Sequence, residues 1–121
     1  MKTILCVDDS STVLLSLTAI LTKAGYGAEK AASAEEALTK LKGGLKPDLV
    51  ITDLNMPGKN GIEFIKDVRQ MPTMKFVPIL FLTTESQQSK RAEAKAAGAS
   101  GWLVKPVNGD ELLNTIKLVV R

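Results

Sequence analysis

Histidine is absent from this sequence, and cysteine, tryptophan and tyrosine each occur once in 121 residues. Without histidine the chain has no Ser–His–Asp triad, no histidine proton shuttle and none of the usual zinc sites, and it carries no phosphohistidine of its own. The single cysteine, Cys6, excludes an internal disulfide and fits a reducing compartment. No apolar run approaches the roughly 20 residues of a membrane helix, and the first residues lead into a strand-like segment rather than a signal peptide. We therefore expect a cytoplasmic protein that does not insert into a membrane.

Aromatic residues are also scarce, at 4% of the chain, although the net charge is +3. Proteins that bind single-stranded nucleic acids need aromatic side chains on which the bases stack. The lysines and arginines are spread along the chain with acidic residues among them, and only Lys90, Arg91 and Lys95 gather, with Glu93 between them. We therefore expect no direct binding of nucleic acid.

The length and the remaining composition are those of one globular domain. A chain of 121 residues buries roughly two thirds of its unfolded surface. Its hydrophobic share of 45% and charged share of 24% are ordinary. We therefore expect a single domain over residues 1–121. The sequence carries no strong signal for self-association, so we expect that domain to be a monomer.

Short apolar runs alternate with amphipathic segments five times along the chain. The predicted strands are residues 3–7, 28–31, 48–52, 79–82 and 101–104, and the predicted helices are 11–24, 33–42, 61–70, 86–97 and a last one from about 109. This alternation predicts right-handed crossovers and a parallel sheet covered on both faces.

The helices are identified by their apolar stripes and by signals at their ends. Gly25 ends the first helix, whereas Ser33 and Glu36 are spaced as a capping box for the second. Asn108 and Glu111 have the same spacing at the start of the last helix. The apolar stripe of the first helix consists of Leu14, Leu17, Leu21 and Ala24.

Polar side chains follow four of the five predicted strands. They are Asp8 and Asp9 after the first, Asp53 after the third, Thr83 and Thr84 after the fourth, and Lys105 after the fifth. Sites in open parallel sheets form at the carboxyl ends of the strands. If the first and third strands are neighbours, three carboxylates, two hydroxyls and one ammonium share a small volume.

Three carboxylates this close repel one another, so either some are protonated or a cation lies among them. Oxygen-only ligands favour Mg²⁺ or Mn²⁺, and there are too few of them for a dedicated Ca²⁺ site. A dication, a lysine, a hydroxyl and the amides of a helix start are the groups that stabilise a phosphoryl group in transfer. A central carboxylate then acts as nucleophile and becomes an aspartyl phosphate.

Each of these residues also has a plain structural explanation when it is taken alone. Asp8 and Asp9 could cap the first helix, and Asp53 could be a turn residue. Thr83 could simply end a strand, and Lys105 could be a solvated surface lysine. Their joint arrival at one edge of the sheet is what favours the functional interpretation.

Four segments together carry a resemblance to a known family. They are Ile4-Leu5-Cys6-Val7-Asp8-Asp9-Ser10, Thr52-Asp53-Leu54-Asn55-Met56-Pro57, Thr83, and Gly98-Ala99-Ser100-Gly101-Trp102-Leu103-Val104-Lys105-Pro106. On these motifs the whole chain resembles a response-regulator receiver domain, and most of all the stand-alone chemotaxis regulators of that family. The resemblance implies the α/β, flavodoxin-like (βα)5 three-layer sandwich, with a five-stranded parallel sheet of order 2-1-3-4-5.

The resemblance also implies roles for the acidic residues and for the lysine. Asp53 matches the phospho-acceptor. Asp9, Asp53 and the backbone carbonyl of Asn55 match the Mg²⁺ ligands, with Asp8 assisting. Lys105 matches the lysine that pairs with the phosphoryl oxygens.

Further positions match parts of the family's switch. Thr83 matches the hydroxyl that moves toward the phosphoryl group, and Trp102 occupies the switch position that usually holds Tyr or Phe. The Lys105–Pro106 peptide bond matches one that is cis in the family. Asn55 and Glu85 occupy positions at which members tune hydrolysis of the acyl phosphate. Taken alone, a tryptophan at this position is more often a packing residue than a residue that binds a partner.

The implied function is that of a phospho-accepting response regulator in two-component signal transduction, which is not an enzyme beyond dephosphorylating itself. A sensor histidine kinase donates the phosphoryl group, and the surface formed by helix 4, strand 5 and helix 5 then changes so that a downstream protein target binds. The resemblance to chemotaxis regulators makes chemotaxis the implied pathway. Gln88 and Thr115 stand where motor-binding members carry lysines. A receiver domain excised from a larger regulator with a non-chemotaxis output is therefore the alternative.

Three other classes remain open at this point. An FMN-binding protein of the same fold needs a Ser/Thr/Gly phosphate loop after the first strand, where Asp8 and Asp9 would repel phosphate without a metal. An aspartate-nucleophile phosphohydrolase usually places its two acids two residues apart on the first strand, whereas these are adjacent. A receiver used only for docking would not need the complete set of acids, threonine and lysine.

Overall fold

The computed structural model describes residues 1–84 and 89–120. Five strands and five α-helices alternate along the chain. Their bounds are β1 Thr3–Val7, α1 Ser11–Lys23, β2 Gly27–Ala31, α2 Ala34–Lys42, β3 Leu49–Asp53, α3 Gly61–Gln70, β4 Ile79–Thr83, α4 Arg91–Ala97, β5 Gly101–Val104 and α5 Gly109–Val119, with a 3₁₀ turn at Pro72–Met74 before β4.

The five strands form one sheet in the order β2-β1-β3-β4-β5. All neighbours are parallel, so the predicted order is confirmed. The exchange of sequence order between β1 and β3 is the topological switch point, beside which ligands bind in sheets of this kind. Val7 pairs with Thr52 across it, which brings the segments that follow β1 and β3 together.

Two apolar layers cover the sheet because successive side chains of a strand point to opposite faces. Leu5 and Phe81 belong to the layer under α2, α3 and α4, whereas Cys6 and Leu80 belong to the layer under α1 and α5. All these side chains are buried. The result is the expected three-layer sandwich, whose buried strands hold the residues at their carboxyl ends in fixed positions.

Most predicted bounds are confirmed, and the differences are local. β2 starts one residue earlier than predicted, at Gly27. Asp53 is the last residue of β3 rather than the first residue after it, because its backbone still pairs with Leu82 of β4. Helix α4 begins at Arg91, and residues 86–88 of the predicted helix lie outside the described residues.

The capping box predicted at Ser33 is formed only in part. The Ser33 hydroxyl accepts the Glu36 amide N–H at 3.0 Å, as expected. The Glu36 carboxylate, however, accepts the N–H of Ala32 instead of that of Ser33. At the other end of the molecule Asn108 accepts the Glu111 amide N–H at 3.1 Å.

Two further features bear on expectations from the sequence. The Lys105–Pro106 peptide bond is cis, as the family resemblance implies. Among residues 1–84 and 89–120, no helix has the length and apolar character that crossing a membrane requires.

Candidate functional site

Three carboxylates meet at the carboxyl edge of the sheet. Asp8 and Asp9 directly follow β1, and Asp53 ends the neighbouring β3. One oxygen from each lies within 4.8 Å of the others. Asp8 is completely buried and Asp53 is 5% exposed, whereas Asp9 is exposed to solvent. The site is therefore a pocket with two acids in its floor and one at its rim.

Lys105 reaches this pocket from the end of β5. Its backbone N–H donates to the Thr83 carbonyl at 2.7 Å, which fixes the start of the segment after β5. Its Nζ lies 3.1 Å from Asp8 Oδ2 and 3.2 Å from Asp53 Oδ1. One ammonium thus bridges the two buried carboxylates, as expected for charges that cannot be solvated separately.

The electrostatics of the pocket reflect this shared burial. Loss of solvent raises the pKa of Asp53, and the neighbouring charge of Asp8 raises it further, although Lys105 and the Asn55 amide act in the opposite direction. For Lys105, burial by itself would lower the pKa, but the charges of Asp53 and Asp8 outweigh it and the pKa is raised. The ammonium form of Lys105 is therefore favoured beside the two acids.

The pocket also fits a divalent cation. Asp8 Oδ2 is buried and, apart from its ion pair with Lys105, has no hydrogen-bond partner among the described residues. The donors that the structure brings together are carboxylate oxygens of Asp8, Asp9 and Asp53, and exposed Asn55 lies beside them because its backbone amide bonds to Asp53. Oxygen donors with an open, solvated side suit Mg²⁺ or Mn²⁺, which retain several waters.

The loop between β3 and α3 is held from both sides. The Glu35 carboxylate at the start of α2 accepts the backbone N–H of Lys59 at 3.1 Å, and the Lys59 ammonium pairs with Asp67 of α3. Gly58 has a φ of +76° and would place a Cβ 3.0 Å from the Glu35 carboxylate. These contacts fix the loop that carries Asn55 beside the pocket.

Gly61 lets α3 start directly against the backbone of Asp53. A Cβ at this position would lie 2.2 Å from the Asp53 carbonyl oxygen, so no larger residue fits without a backbone shift. Asn60 precedes it and forms a complete capping box with Glu63, at 2.9 and 3.0 Å. This capping box was not predicted from the sequence, although the Asn-x-x-Glu spacing before an apolar stripe is its signal.

Thr83 lies on the other side of Asp53, at the end of β4. It is completely buried, and its hydroxyl donates to the backbone carbonyl of Thr84 at 3.1 Å. The hydroxyl is thus bonded to backbone in this structure. Glu85, which the resemblance assigns to hydrolysis, and Gln88 lie outside the described residues.

Trp102, the predicted switch residue, and Cys6, the single cysteine, lie outside the acidic pocket. Trp102 is 45% exposed, and its ring stacks on Phe81 with centroids 6.2 Å apart. The Arg91 guanidinium carbon lies 4.7 Å from the centroid of the Trp102 ring. Cys6 is buried in the core, and burial raises the pKa of its thiol to about 12.

Comparison with known proteins places the chain in a family. A family model described as "Response regulator receiver domain" matches residues 4–117. Protein PilH of Pseudomonas aeruginosa is 36% identical over 120 residues, which are 99% of this chain and 98% of that protein. Chemotaxis protein CheY of Thermotoga maritima is 38% identical over 120 residues, with 98% and 97% covered.

Solved structures give the same result. The chemotaxis protein CheY4 of Vibrio cholerae superposes with a TM-score of 0.93 at 46% identity, covering 98% of each chain. Receiver domains are phospho-accepting signalling modules that bind Mg²⁺ at an acidic pocket, which decides against the FMN-binding and phosphohydrolase alternatives. The chain belongs to the response regulator receiver family of two-component signal transduction.

Proposed function

We propose that Asp53 accepts a phosphoryl group from the phosphohistidine of a sensor histidine kinase. The observation that carries this proposal is the bridging of Asp8 and Asp53 by Lys105, at 3.1 and 3.2 Å, within a cluster of three carboxylates. A positive charge at this position stabilises phosphoryl oxygens as they approach Asp53.

In the proposed reaction, a carboxylate oxygen of Asp53 attacks phosphorus in line with the bond that breaks. The new O–P bond forms as the P–N bond to the donor imidazole breaks, and the imidazole leaves with the electron pair. Lys105 then exchanges part of its pairing with Asp53 for the phosphoryl oxygens, because both are anionic and within its reach.

Asp9, Asp53 and the backbone carbonyl of Asn55 would hold Mg²⁺, or Mn²⁺, with Asp8 assisting. The fit rests on the buried Asp8 Oδ2, which has no partner among the described residues besides the Lys105 ammonium, and on the proximity of the three acids. When bound, the dication supplies charge neutralisation at the transferring phosphoryl group. The fixed β3–α3 loop keeps the Asn55 carbonyl positioned beforehand, which limits the reorganisation that binding requires.

Phosphorylation would then act as a switch. The phosphoryl group carries a charge of about −2 and several strong acceptor oxygens, so the Thr83 hydroxyl exchanges the Thr84 carbonyl for one of them. The segment after β4 follows, Trp102 moves inward, and the surface of α4, β5 and α5 changes for a downstream protein target. The unmodified chain visits this arrangement at low occupancy, and phosphorylation shifts the populations.

The lifetime of the phosphorylated state would be set within the chain. Asn55 is exposed at the rim of the pocket, where its side chain can reach water that attacks the acyl phosphate. We assign Asn55 and Glu85 to the control of this hydrolysis. Self-dephosphorylation returns Thr83 and Trp102 to their resting positions.

Phosphoryl labelling tests the assignment of Asp53 directly. The wild-type chain, incubated with a small radiolabelled phosphodonor and Mg²⁺, should take up an acid-stable, base-labile label. Asp53→Asn should abolish it, whereas Asp110→Asn, an exposed acid at the start of α5, should not. Label that persists in Asp53→Asn would refute the assignment.

The downstream partner can be sought with the same switch. Chemotaxis is the proposed context because two of the three relatives named above, CheY of Thermotoga maritima and CheY4 of Vibrio cholerae, are chemotaxis proteins. Immobilised protein treated with beryllofluoride and Mg²⁺ should retain a target that untreated protein does not. Retention of only chemotaxis-unrelated proteins would favour the alternative output.

A further inference from the structure

Arg91 and Trp102 make a contact that the proposed phosphoryl chemistry does not use. The guanidinium carbon lies 4.7 Å from the centroid of the indole ring, well within the range of a cation–π interaction. Arg91 is the first residue of α4, and Trp102 lies in β5. The contact therefore joins the two elements whose relative position the proposed switch changes.

Within the described part of the chain, Arg91 has its one recorded side-chain contact with the aromatic ring of Trp102. Within residues 1–84 and 89–120, Arg91 forms no ion pair, and its buried Nε has no hydrogen-bond partner. Its neighbour Lys90 differs, since it pairs with Glu93 at 3.6 Å. Among the described residues no carboxylate pairs with this partly desolvated guanidinium, and the electron-rich face of the indole stabilises it.

The ring is connected to the pocket through the sheet. Trp102 pairs with Phe81 and Val104 pairs with Thr83 in the register of β4 and β5, and Lys105 directly follows β5. A displacement at the end of β4 therefore acts on the strand that carries Trp102. The 45% exposed ring has solvent on one side and the ring of Phe81 on the other.

We propose that Arg91 holds Trp102 in its outward position and thereby sets the resting population of the switch. This inference rests on the proposed function, because the outward position is a resting state only if Asp53 modification shifts the ring inward. Loss of the Arg91 charge removes an interaction that only the outward state makes, so the inward state becomes more populated.

The single tryptophan gives a direct readout in the resting protein. If Arg91 only covers the ring, Arg91→Gln exposes Trp102 further, and its emission shifts to the red with faster acrylamide quenching. If Arg91 holds the ring outward, the small inward fraction grows about threefold to fivefold, and a blue-shifted, more slowly quenched component of the emission grows with it. Arg91→Lys, which keeps the cation, should restore most of the wild-type signal, and Lys90→Gln, which removes a charge one residue away, should leave it unchanged.

The same variants test the coupling to the pocket. Beryllofluoride with Mg²⁺ should bind Arg91→Gln about threefold to fivefold more tightly than it binds the wild type. This ratio corresponds to the free energy of an exposed cation–π contact. The affinity of Lys90→Gln should equal that of the wild type. Equal affinities together with a red shift in Arg91→Gln would overturn this inference alone. Absence of beryllofluoride binding to the wild-type chain would overturn the proposed function and this inference with it.

Discussion

Helices α3 and α4 start at the same edge of the sheet, but their first turns are held differently. α3 begins with a complete capping box between Asn60 and Glu63, and the loop before it is tied to α2 by the Glu35–Lys59 hydrogen bond. α4 has no side-chain cap within the described part of the chain. Its first residue, Arg91, instead contacts the partly exposed ring of Trp102.

The difference matches the two tasks of a phosphorylation switch. In the proposed function, the β3–α3 side keeps Asp53 and the Asn55 carbonyl in place during phosphoryl transfer, since small displacements cost much of the rate. The α4 side must change position for a small energy, and motions of this kind belong to the weakly held parts of a fold. The predictions that follow test whether the two sides differ as the contacts indicate.

The largest effect is expected at Gly61. Gly61→Ala would place a Cβ 2.2 Å from the Asp53 carbonyl oxygen, which is a backbone atom that cannot turn away. We expect the free energy of unfolding in urea to fall by about 2–3 kcal/mol. Gly109→Ala is the matched control, since Gly109 also follows an Asn cap and its Cβ would meet only Ile20 at 3.7 Å. Equal losses in the two variants would contradict the close packing of α3 on Asp53.

Magnesium should strengthen the β3–α3 side and leave the α4 side unchanged. At ten times its Kd, Mg²⁺ should raise the free energy of unfolding by about 1.4 kcal/mol, because it binds only the folded acids. Amide NMR signals of Asp8 and Asp53 should shift, and those of Trp102 should not. Asp9→Asn, which removes a proposed ligand, should lose most of the stabilisation, and Asp110→Asn, at another exposed acid, should keep it. A uniform response along the chain would argue against a single site.

The difference in capping between α3 and α4 predicts that loss of the α3 cap lowers the free energy of unfolding by about 1 kcal/mol. Asn60→Ala removes the side chain that accepts the Glu63 amide, and loss of such a cap costs roughly this amount. Lys90→Ala removes no capping bond and only an exposed pair with Glu93, so unfolding in urea should be almost unchanged. A larger loss in Lys90→Ala would show that the start of α4 is the better held of the two.

The smallest effect concerns the pH dependence of the Glu35 contact. The Glu35 carboxylate accepts hydrogen bonds from the backbone N–H groups of Glu35 and Lys59, and these lower the pKa of Glu35 below its ordinary value of 4.5. A lowered pKa means that the contribution is complete above the ordinary value and is lost as the pH falls through the folded pKa. The amide shift of Lys59 should therefore titrate with a midpoint below 4.5. Glu35→Gln should abolish the titration, and a midpoint at or above the ordinary value would contradict the contact.

Local patterns were enough to predict most of the fold. The bounds of β1, β5 and α3 agree with the sequence-based prediction, because strand runs and helix stripes are set by the period of apolar residues. The members of the pocket were also predictable, because carboxyl ends of parallel strands share an edge. Asp8, Asp9 and Asp53 therefore come together by topology.

Contacts between distant segments were not predictable in the same way. The Glu35–Lys59 bond joins residues 24 apart, and the close approach of Gly61 to Asp53 depends on how α3 packs on β3. The predicted end of β3 was wrong by one residue because pairing with β4, and not the local sequence, decides that Asp53 still belongs to the strand. Nothing in the segment around Trp102 indicates that a cation of α4 lies over its ring.

The sequence by itself determined the alternation of strands and helices, the sheet that follows from it and the identity of the acids, threonine and lysine at its edge. These depend on residue type and spacing, which are local properties of the chain. Only the tertiary structure decided that Lys105 bridges Asp8 and Asp53 and that Arg91 lies on Trp102. Such distances depend on how separate elements pack, and small shifts in packing change them without any change in the pattern of the sequence.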